Sequence, residues 1–171
     1  NMIENEYLRL VLSEQEGISR LESTDGTVYI DRALNFLVAQ ADFGGLQIEQ
    51  CNGQDLFAVT GKITLGPVTE DASGMSITMH GRFPKMAWNH GANRLDWSIR
   101  YTLRHGERGL RMNVMLDWEG QETRIRLKIP AAFPGRDVWH EVPFGIVRRD
   151  AYRSRPTAKG EWAVHRFAAI E

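Results

Sequence analysis

Cysteine is almost missing from the sequence, because Cys51 is the only one in 171 residues. An intrachain disulfide is therefore excluded, and a reducing, cytoplasmic compartment is the expected location. Long apolar runs are missing as well, since none approaches the roughly 18 residues of a membrane-spanning helix. Residues 1–6 lack the basic and apolar regions of a signal peptide. The formal charge of −1 argues against a general nucleic-acid-binding protein.

Lysine is scarce too, because only four of the 21 basic residues are lysines and the rest are arginines. The charges are unevenly divided: residues 1–85 carry 6 basic and 12 acidic side chains, whereas residues 86–171 carry 15 and 10. Arginine's planar guanidinium suits paired hydrogen bonds to carboxylates and stacking on aromatic rings. Two explanations remain open. The halves complement each other within one fold, or the basic half holds a site for an anion.

A two-residue period dominates the sequence and predicts β-strands. Within 95–104 the apolar side chains occupy the odd positions and the polar ones the even positions, as in a strand with one buried face. The glycine-bearing stretch 105–109 separates this run from a second one, 110–118, and a turn at Gly120 precedes a third, 124–129. Three successive strands joined by short turns predict an antiparallel meander.

The first half of the sequence shows the same pattern in shorter runs. The predicted strands are 7–12, 18–21, 28–30, 57–65 and 75–83, and the ambiguous stretch Ala33–Gln40 is interpreted as a further strand. No segment keeps helical spacing between good caps, so an all-β fold is expected, an antiparallel β-sandwich or barrel. Without a low-complexity linker, residues 1–171 are expected to form a single domain.

Motifs that carry chemistry are few. The sequence contains no phosphate-binding glycine loop, nucleophile elbow or CxxC pair, and none of its five histidines has metal-ligand spacing, so no catalytic or metal site is predicted. Asp117 and Glu119, two positions apart on one strand face, could form a carboxylate pair for glycoside hydrolysis. The structural alternative is cross-strand ion pairing with Arg124 and Arg126 on the following strand.

Basic side chains would share one face of the sheet if the meander aligns as predicted. That face could be solvated, packed on an acidic domain, or bound to an anionic ligand. Its members would be Arg100, Arg104, Arg111, Arg124, Arg126 and Lys128.

Tryptophans could mark a glycan site, because an exposed indole can stack on a pyranose ring. Trp97 and Trp118 fall on apolar strand faces and are predicted to lie in the core. Trp88 is the best candidate for an exposed indole, either stacked on a ligand or packed at an interface.

Several stretches resemble motifs of the glycoside hydrolase family 38 α-mannosidases. Val114–Trp118 followed by Thr123–Pro130 resembles the family's "DW … RLRL..P" stretch, and Trp139–Arg149 resembles "E-[VI]-P-[FY]-G-V-V-x-R". Gly160–Ala168 is similar to "GEWPAHRW.D", with departures at Ala163 and Phe167.

The opening residues extend this resemblance over nearly the whole chain, from about residue 3 to residue 170. Ile3–Leu10 and Gly17–Leu21 resemble the start of the C-terminal β region of these enzymes. The resemblance implies a parent α-mannosidase that cleaves α-mannosidic bonds with retention, using a zinc ion and an aspartate nucleophile on an N-terminal α/β barrel. This chain would be part of the C-terminal β-supersandwich, a galactose mutarotase-like fold that packs against the barrel, excised from that larger enzyme. No catalytic or zinc-binding residue of the family maps onto it.

Polar and aromatic side chains are dense in 139–166, which we expect to lie at the interface with the catalytic barrel or to contact carbohydrate. The candidate residues are Trp88, Trp139, His140, Glu141, Arg148, Arg149, Glu161, Trp162, His165 and Arg166. The main hypothesis is a non-catalytic scaffold, and the alternative is a carbohydrate-binding module that stacks sugars on Trp88, Trp139 or Trp162. No nucleic-acid or membrane partner is expected, and exposed sheet edges predict weak self-association.

Overall fold

The structure, a computed structural model, describes residues 1–33, 37–41, 62–83, 94–127, 129–130, 132, 137–149 and 167–170. These residues form antiparallel strands, and none of them belongs to a helix long and apolar enough to cross a membrane. The strands are β1 (Met2–Glu4), β2 (Leu8–Ser13), β3 (Gly17–Ser23), β4 (Val28–Ala33), β5 (Leu37–Ala41), β6 (Thr64–Leu65), β7 (Thr69–Asp71), β8 (Gly74–Arg82), β9 (Arg94–Arg104), β10 (Leu110–Glu119), β11 (Thr123–Leu127), β12 (Val138–Val142), β13 (Gly145–Arg149) and β14 (Ala168–Ile170).

The chain divides into two compact units. One comprises residues 1–43 and 51–132 and carries β1–β11, and the other comprises residues 44–50 and 133–171 and carries β12–β14. The first unit opens with a sheet in the order β1-β2-β3-β4, in which every pair is antiparallel. Leu8, Leu10 and Leu12 of β2 are buried, as their two-residue spacing predicts.

A second sheet of the first unit follows the order β10-β9-β8-β6, and β7 also pairs with β8. Strand β9 is paired on both sides along most of its length, so that Ile99 faces Met79 of β8 and Val114 of β10. The odd-numbered side chains of β9 are buried and the even-numbered ones face away from the core. The alternation predicted for 95–104 and the pairing of this strand with 110–118 are confirmed, whereas in 110–118 the alternation of burial holds only as far as residue 115.

The third strand of the predicted meander is paired differently. Strand β11 pairs with β5, so that Ile125 faces Ala39, and the prediction that β11 extends the meander is wrong. Alternation specifies which side chains of a strand are buried, but the neighbouring strand is chosen by contacts between distant segments. Strand β5 covers residues 37–40 of the predicted strand 33–40 and extends it to Ala41, whereas Ala33 ends β4. Residues 34–36 are outside the described part, as are residues 57–61 of the predicted strand 57–65.

The core of the first unit lies between its sheets, because β1 packs against β8 and β9. Trp97 is 3% exposed and lies in this core, as predicted. Trp118 is 40% exposed, so the prediction that it lies in the core is wrong. Strand β10 is last in the described order of its sheet, and Leu116 is exposed there as well. A side chain near the end of such a strand has core neighbours on one side only.

Gly81 makes room for the indole of Trp97. The two residues face each other across β8 and β9, and a Cβ atom at position 81 would lie 2.9 Å from the indole Nε1 and closer still to two ring carbons. Real Cβ atoms do not approach other atoms so closely, so either the ring or the strand would have to move. This glycine therefore sets how tightly β8 and β9 pack at the aromatic end of the core.

We predict that Gly81→Ala lowers the free energy of unfolding by about 1–3 kcal/mol, because it overpacks a rigid and buried ring. Gly109→Ala is the matched control, since a Cβ at position 109 meets no atom within 4 Å. Urea unfolding of the two variants and the wild type measures the difference. Equal stability of the two variants would contradict the packing role of Gly81.

The second unit contains a sheet in the order β13-β12-β14, again antiparallel. The central strand β12 carries His140, which faces Val147 on one side and Ala168 on the other. Adjacent residues of a strand point to opposite faces, yet His140 and Glu141 are both buried. Both faces of β12 are therefore covered.

Candidate functional site

A polar segment before β2 holds the turn between β9 and β10. The Nδ2 amide of Asn5 donates to the carbonyl oxygens of Arg104 at 2.6 Å and Glu107 at 2.8 Å. Its Oδ1 accepts the backbone N–H groups of Tyr7 at 3.0 Å and Leu8 at 2.8 Å. One side chain thus joins the N-terminal sheet to the second sheet.

Glu6 and Tyr7 add to this contact. Glu6 accepts the backbone N–H of Gly106 at 3.2 Å and lies 3.2 Å from His105 Nδ1, and the Arg108 guanidinium lies 4.8 Å from the Tyr7 ring centroid. Backbone hydrogen bonds from Glu6 itself and from Gly106 lower the pKa of the Glu6 carboxyl. We call Asn5–Tyr7 the turn clamp. Sequence reasoning missed it, because hydrophobic periodicity carries no signal for polar contacts made across about one hundred residues.

The outward faces of β8, β9 and β10 form one polar surface, here called the polar face. At one end of it Arg82 binds both carboxylate oxygens of Asp96, one of them at 3.0 Å. Arg94 lies 3.7 Å from Asp96 and donates to Asp117 Oδ2 at 2.5 Å. Arg94 therefore lies between the carboxylates of Asp96 and Asp117, which face each other across β9 and β10, and offsets their repulsion.

Asp117 and Glu119 lie together on the polar face, as predicted, opposite Asp96 and Arg94. The expected ion pairing with Arg124 and Arg126 is wrong, because β11 belongs to another strand pair and Asp117 binds Arg94 instead. The pKa of Asp96, which faces Asp117, is lowered chiefly by its hydrogen bond from Arg82.

We predict that Asp96→Asn destabilises the protein at pH 7 and that this difference disappears in acid. The folded-state pKa of Asp96 lies below its ordinary value of 3.8, so the ionised carboxylate stabilises the fold above that value. The contribution is lost as the pH falls through the folded-state pKa. Thermal unfolding of both proteins between pH 7 and pH 2 tests this, and a difference that stays constant over the range would contradict it.

The other end of the polar face is basic. Arg100 and Arg104 project from β9 on either side of Thr102, and Arg111 of β10 faces Thr102 across the strands. These side chains, with Ser73 and Asn113, line an open depression of about 650 Å³. The predicted basic face is therefore assembled in part. Arg124 and Arg126 lie on the separate β5–β11 pair, and Lys128 is outside the described residues.

The hairpin of β12 and β13 carries four of the ten candidate residues with their side chains. Trp139 is half-buried and faces Arg148 across the strands, and Arg148 Nη1 lies 3.1 Å from Asp137 Oδ2. His140 and Glu141 are 7% and 8% exposed, and the Nδ1 atom of His140 is buried without a hydrogen-bond partner in the described structure. The sequence-predicted Trp139 and Arg148 are thus neighbours, while His140 lies on the opposite face of β12.

The tip of this hairpin exposes an aromatic side chain. Pro143 and Phe144 form the two-residue connection, and Phe144 has a φ of +73°. Proline followed by a residue with positive φ is the order of a type II turn, which normally has glycine or asparagine at the second position. Phe144 is completely exposed, and Ile146 beside it is also exposed. Sequence reasoning missed Phe144, because the adjacent Gly145 is the residue expected to take a positive φ.

The remaining candidate residues cannot be placed in this way. Trp88, Glu161, Trp162, His165 and Arg166 lie outside the described residues, and Arg149 is described only through its backbone, opposite Val138 in β13. Among the residues that the structure describes, no group of three His, Cys, Asp or Glu side chains could hold a metal ion.

Comparison with protein families gives a match over nearly the whole chain. Residues 3–171 match the family described as the C-terminal domain of the glycosyl hydrolases of family 38. No curated protein matches the chain. The family match confirms the resemblance found in the sequence, and the antiparallel strands of the described residues agree with the β-sandwich class expected from it.

Proposed function

Because the chain belongs to the family of C-terminal domains of glycosyl hydrolases of family 38, we propose that it is the non-catalytic domain of an α-mannosidase. In this proposal it packs against the catalytic barrel of the same chain and supports it. The parent enzyme would use zinc on the barrel and work in the cytoplasm. The residues described here do not fit a zinc site, so no step of the reaction is assigned to them.

The observation that carries this proposal is the hairpin tip of β12 and β13. A positive φ at a non-glycine residue costs about 1–3 kcal/mol of conformational free energy. A fully exposed phenyl ring contributes no hydrophobic stabilisation to the fold. Both costs are offset if Phe144 and Ile146 are buried against another surface of the enzyme. The hairpin is firm enough to present them, since Arg148 is paired with Asp137 and the central strand is covered on both faces.

We predict that Phe144→Gly destabilises the full-length enzyme by about 1–3 kcal/mol and lowers its mannosidase activity. Glycine accepts the positive φ without strain, so any loss must come from a missing contact of the ring. Thermal unfolding and hydrolysis of a chromogenic α-mannoside measure the two effects.

Glu122→Gly is the matched control, because Glu122 is exposed and also has a positive φ, of +52°. This variant relieves the same kind of backbone strain without removing an aromatic ring, and it should leave activity unchanged and stability equal or higher. If Phe144→Gly behaves like Glu122→Gly, the hairpin tip does not pack on the barrel.

The second candidate function is glycan binding. One observation favours it: Trp118, at the end of β10, is 40% exposed, and Leu116 two positions before it is exposed as well, so that an apolar and partly accessible surface lies there. Trp139, the one predicted stacking residue that is described, is half-buried.

We predict that titration of the 171-residue chain with mannose and mannobiose leaves its tryptophan fluorescence unchanged, because the scaffold function requires no sugar site. A saturable change at millimolar or lower concentration that is lost in Trp118→Leu would favour the binding module. That result would contradict a function limited to scaffolding.

A further inference from the structure

The basic depression on the polar face has an excess of positive charge. Arg111 donates to Glu107 through Nε and Nη2 at 2.9 Å each, and Arg104 lies 3.8 Å from the same carboxylate. Arg100 donates to Ser76 Oγ at 2.9 Å, and no carboxylate in the described part of the chain lies within 4 Å of it. Two of the three guanidinium groups therefore share the Glu107 carboxylate, and the third is bound to a hydroxyl.

Asp71, an acid bound to the lining residue Ser73, is already engaged. Asp71 accepts the backbone N–H of Ser73 at 2.7 Å and the Ser73 hydroxyl at 2.6 Å, and these bonds lower the pKa of its carboxyl. The charge of Arg100 makes a smaller contribution in the same direction. Even with Asp71 counted, the positive charges outnumber the negative ones.

Two of the arginines are also fixed in part before any ligand arrives. Ser76, which binds Arg100, is buried, and its hydroxyl lies 2.8 Å from Thr69 Oγ1. The backbone of Arg104 is held by Asn5, whose Nδ2 amide donates to its carbonyl oxygen at 2.6 Å. Donors that are already fixed by neutral groups lose little conformational entropy on binding.

The size and the lining of the depression indicate the class of ligand. Its volume of about 650 Å³ lies in the range of small-molecule sites, about 300–1,000 Å³, and exceeds what a single inorganic anion fills. Guanidinium groups form paired, charge-assisted hydrogen bonds with phosphate and sulfate oxygens. Ser73, Thr102 and Asn113 supply neutral donors and acceptors that suit hydroxyl groups.

We propose that this depression binds a phosphate or sulfate ester of a sugar-sized polyol, with the ester oxygens on Arg100, Arg104 and Arg111. The site lies on β9, β10 and the loop before β8, in the first unit, and does not depend on the hairpin of the second unit. It is therefore independent of the proposed packing against a barrel.

Isothermal titration of the 171-residue chain with glucose 6-phosphate, glucose 6-sulfate, inorganic phosphate and glucose tests the proposal. Both esters should bind saturably and about tenfold or more tightly than glucose, and the ratio between them identifies the preferred ester. Higher salt should weaken the binding, because the attraction is electrostatic. Equal binding of the esters and glucose, or no binding of either ester, would overturn the proposal.

Three variants distinguish a specific ester-binding site from non-specific attraction of anions to a basic surface. Arg100→Gln should weaken ester binding about tenfold. Glu107→Gln should strengthen it several-fold, because it removes the carboxylate that competes for Arg104 and Arg111. Arg20→Gln, an exposed arginine of β3 paired with Glu22, makes the same change in net charge on another sheet and should alter binding less than twofold.

Thermal unfolding of each variant checks that the fold is retained. If Arg100→Gln is unstable, the Glu107→Gln result still decides, since a purely structural ion pair predicts no gain in ester affinity when it is broken. Unchanged or weaker ester binding by Glu107→Gln, or an equal loss in Arg20→Gln and Arg100→Gln, would refute the proposal.

Discussion

The two-residue alternation of β9 is the constraint on which the rest of the first unit depends. Its odd-numbered side chains must be buried together, so its even-numbered side chains must share the opposite face. A shift of one residue would place arginines in the core, which fixes the register against β8 and β10. The ion pairs of Asp96 and the arginines around Thr102 both follow from that register.

The polar face is divided into two parts with different chemistry. Around Asp96 and Asp117 each of these two carboxylates is paired with an arginine, Asp96 with Arg82 and Asp117 with Arg94, so that end offers no excess of positive charge. Around Thr102 three arginines lie close together, and among the described residues the carboxylate of Glu107 pairs with two of them. The net charge at this end is therefore positive. The turn clamp contributes to this difference, because Asn5 and Glu6 fix the turn that carries Glu107.

Periodicity predicted the parts of the fold that depend on burial, and failed where pairing or geometry depends on distant contacts. The alternation of 95–104 predicted the faces of β9 and the burial of Trp97 correctly. The same pattern at 110–118 could not predict that Trp118 is exposed, because it does not show where the core ends along the strand. The partner of β11 was predicted wrongly, since nothing local to 123–127 specifies β5, about 80 residues earlier in the chain.

The candidate surfaces differ in how far sequence can indicate them. The abundance of arginine can be read directly from the sequence. Once β9 and β10 are paired correctly, their register shows that Arg100, Arg104 and Arg111 lie around Thr102. The exposed position of Phe144 cannot be read from the sequence in this way. It depends on a positive φ at Phe144, which sequence rules would assign to the neighbouring Gly145. A positive φ at a phenylalanine and a fully exposed phenyl ring are both unfavourable, and burial of the ring against another surface would offset the free-energy cost of both. An unfavourable local conformation is therefore a stronger indication of an interface at this hairpin than the hydrophobicity of its residues.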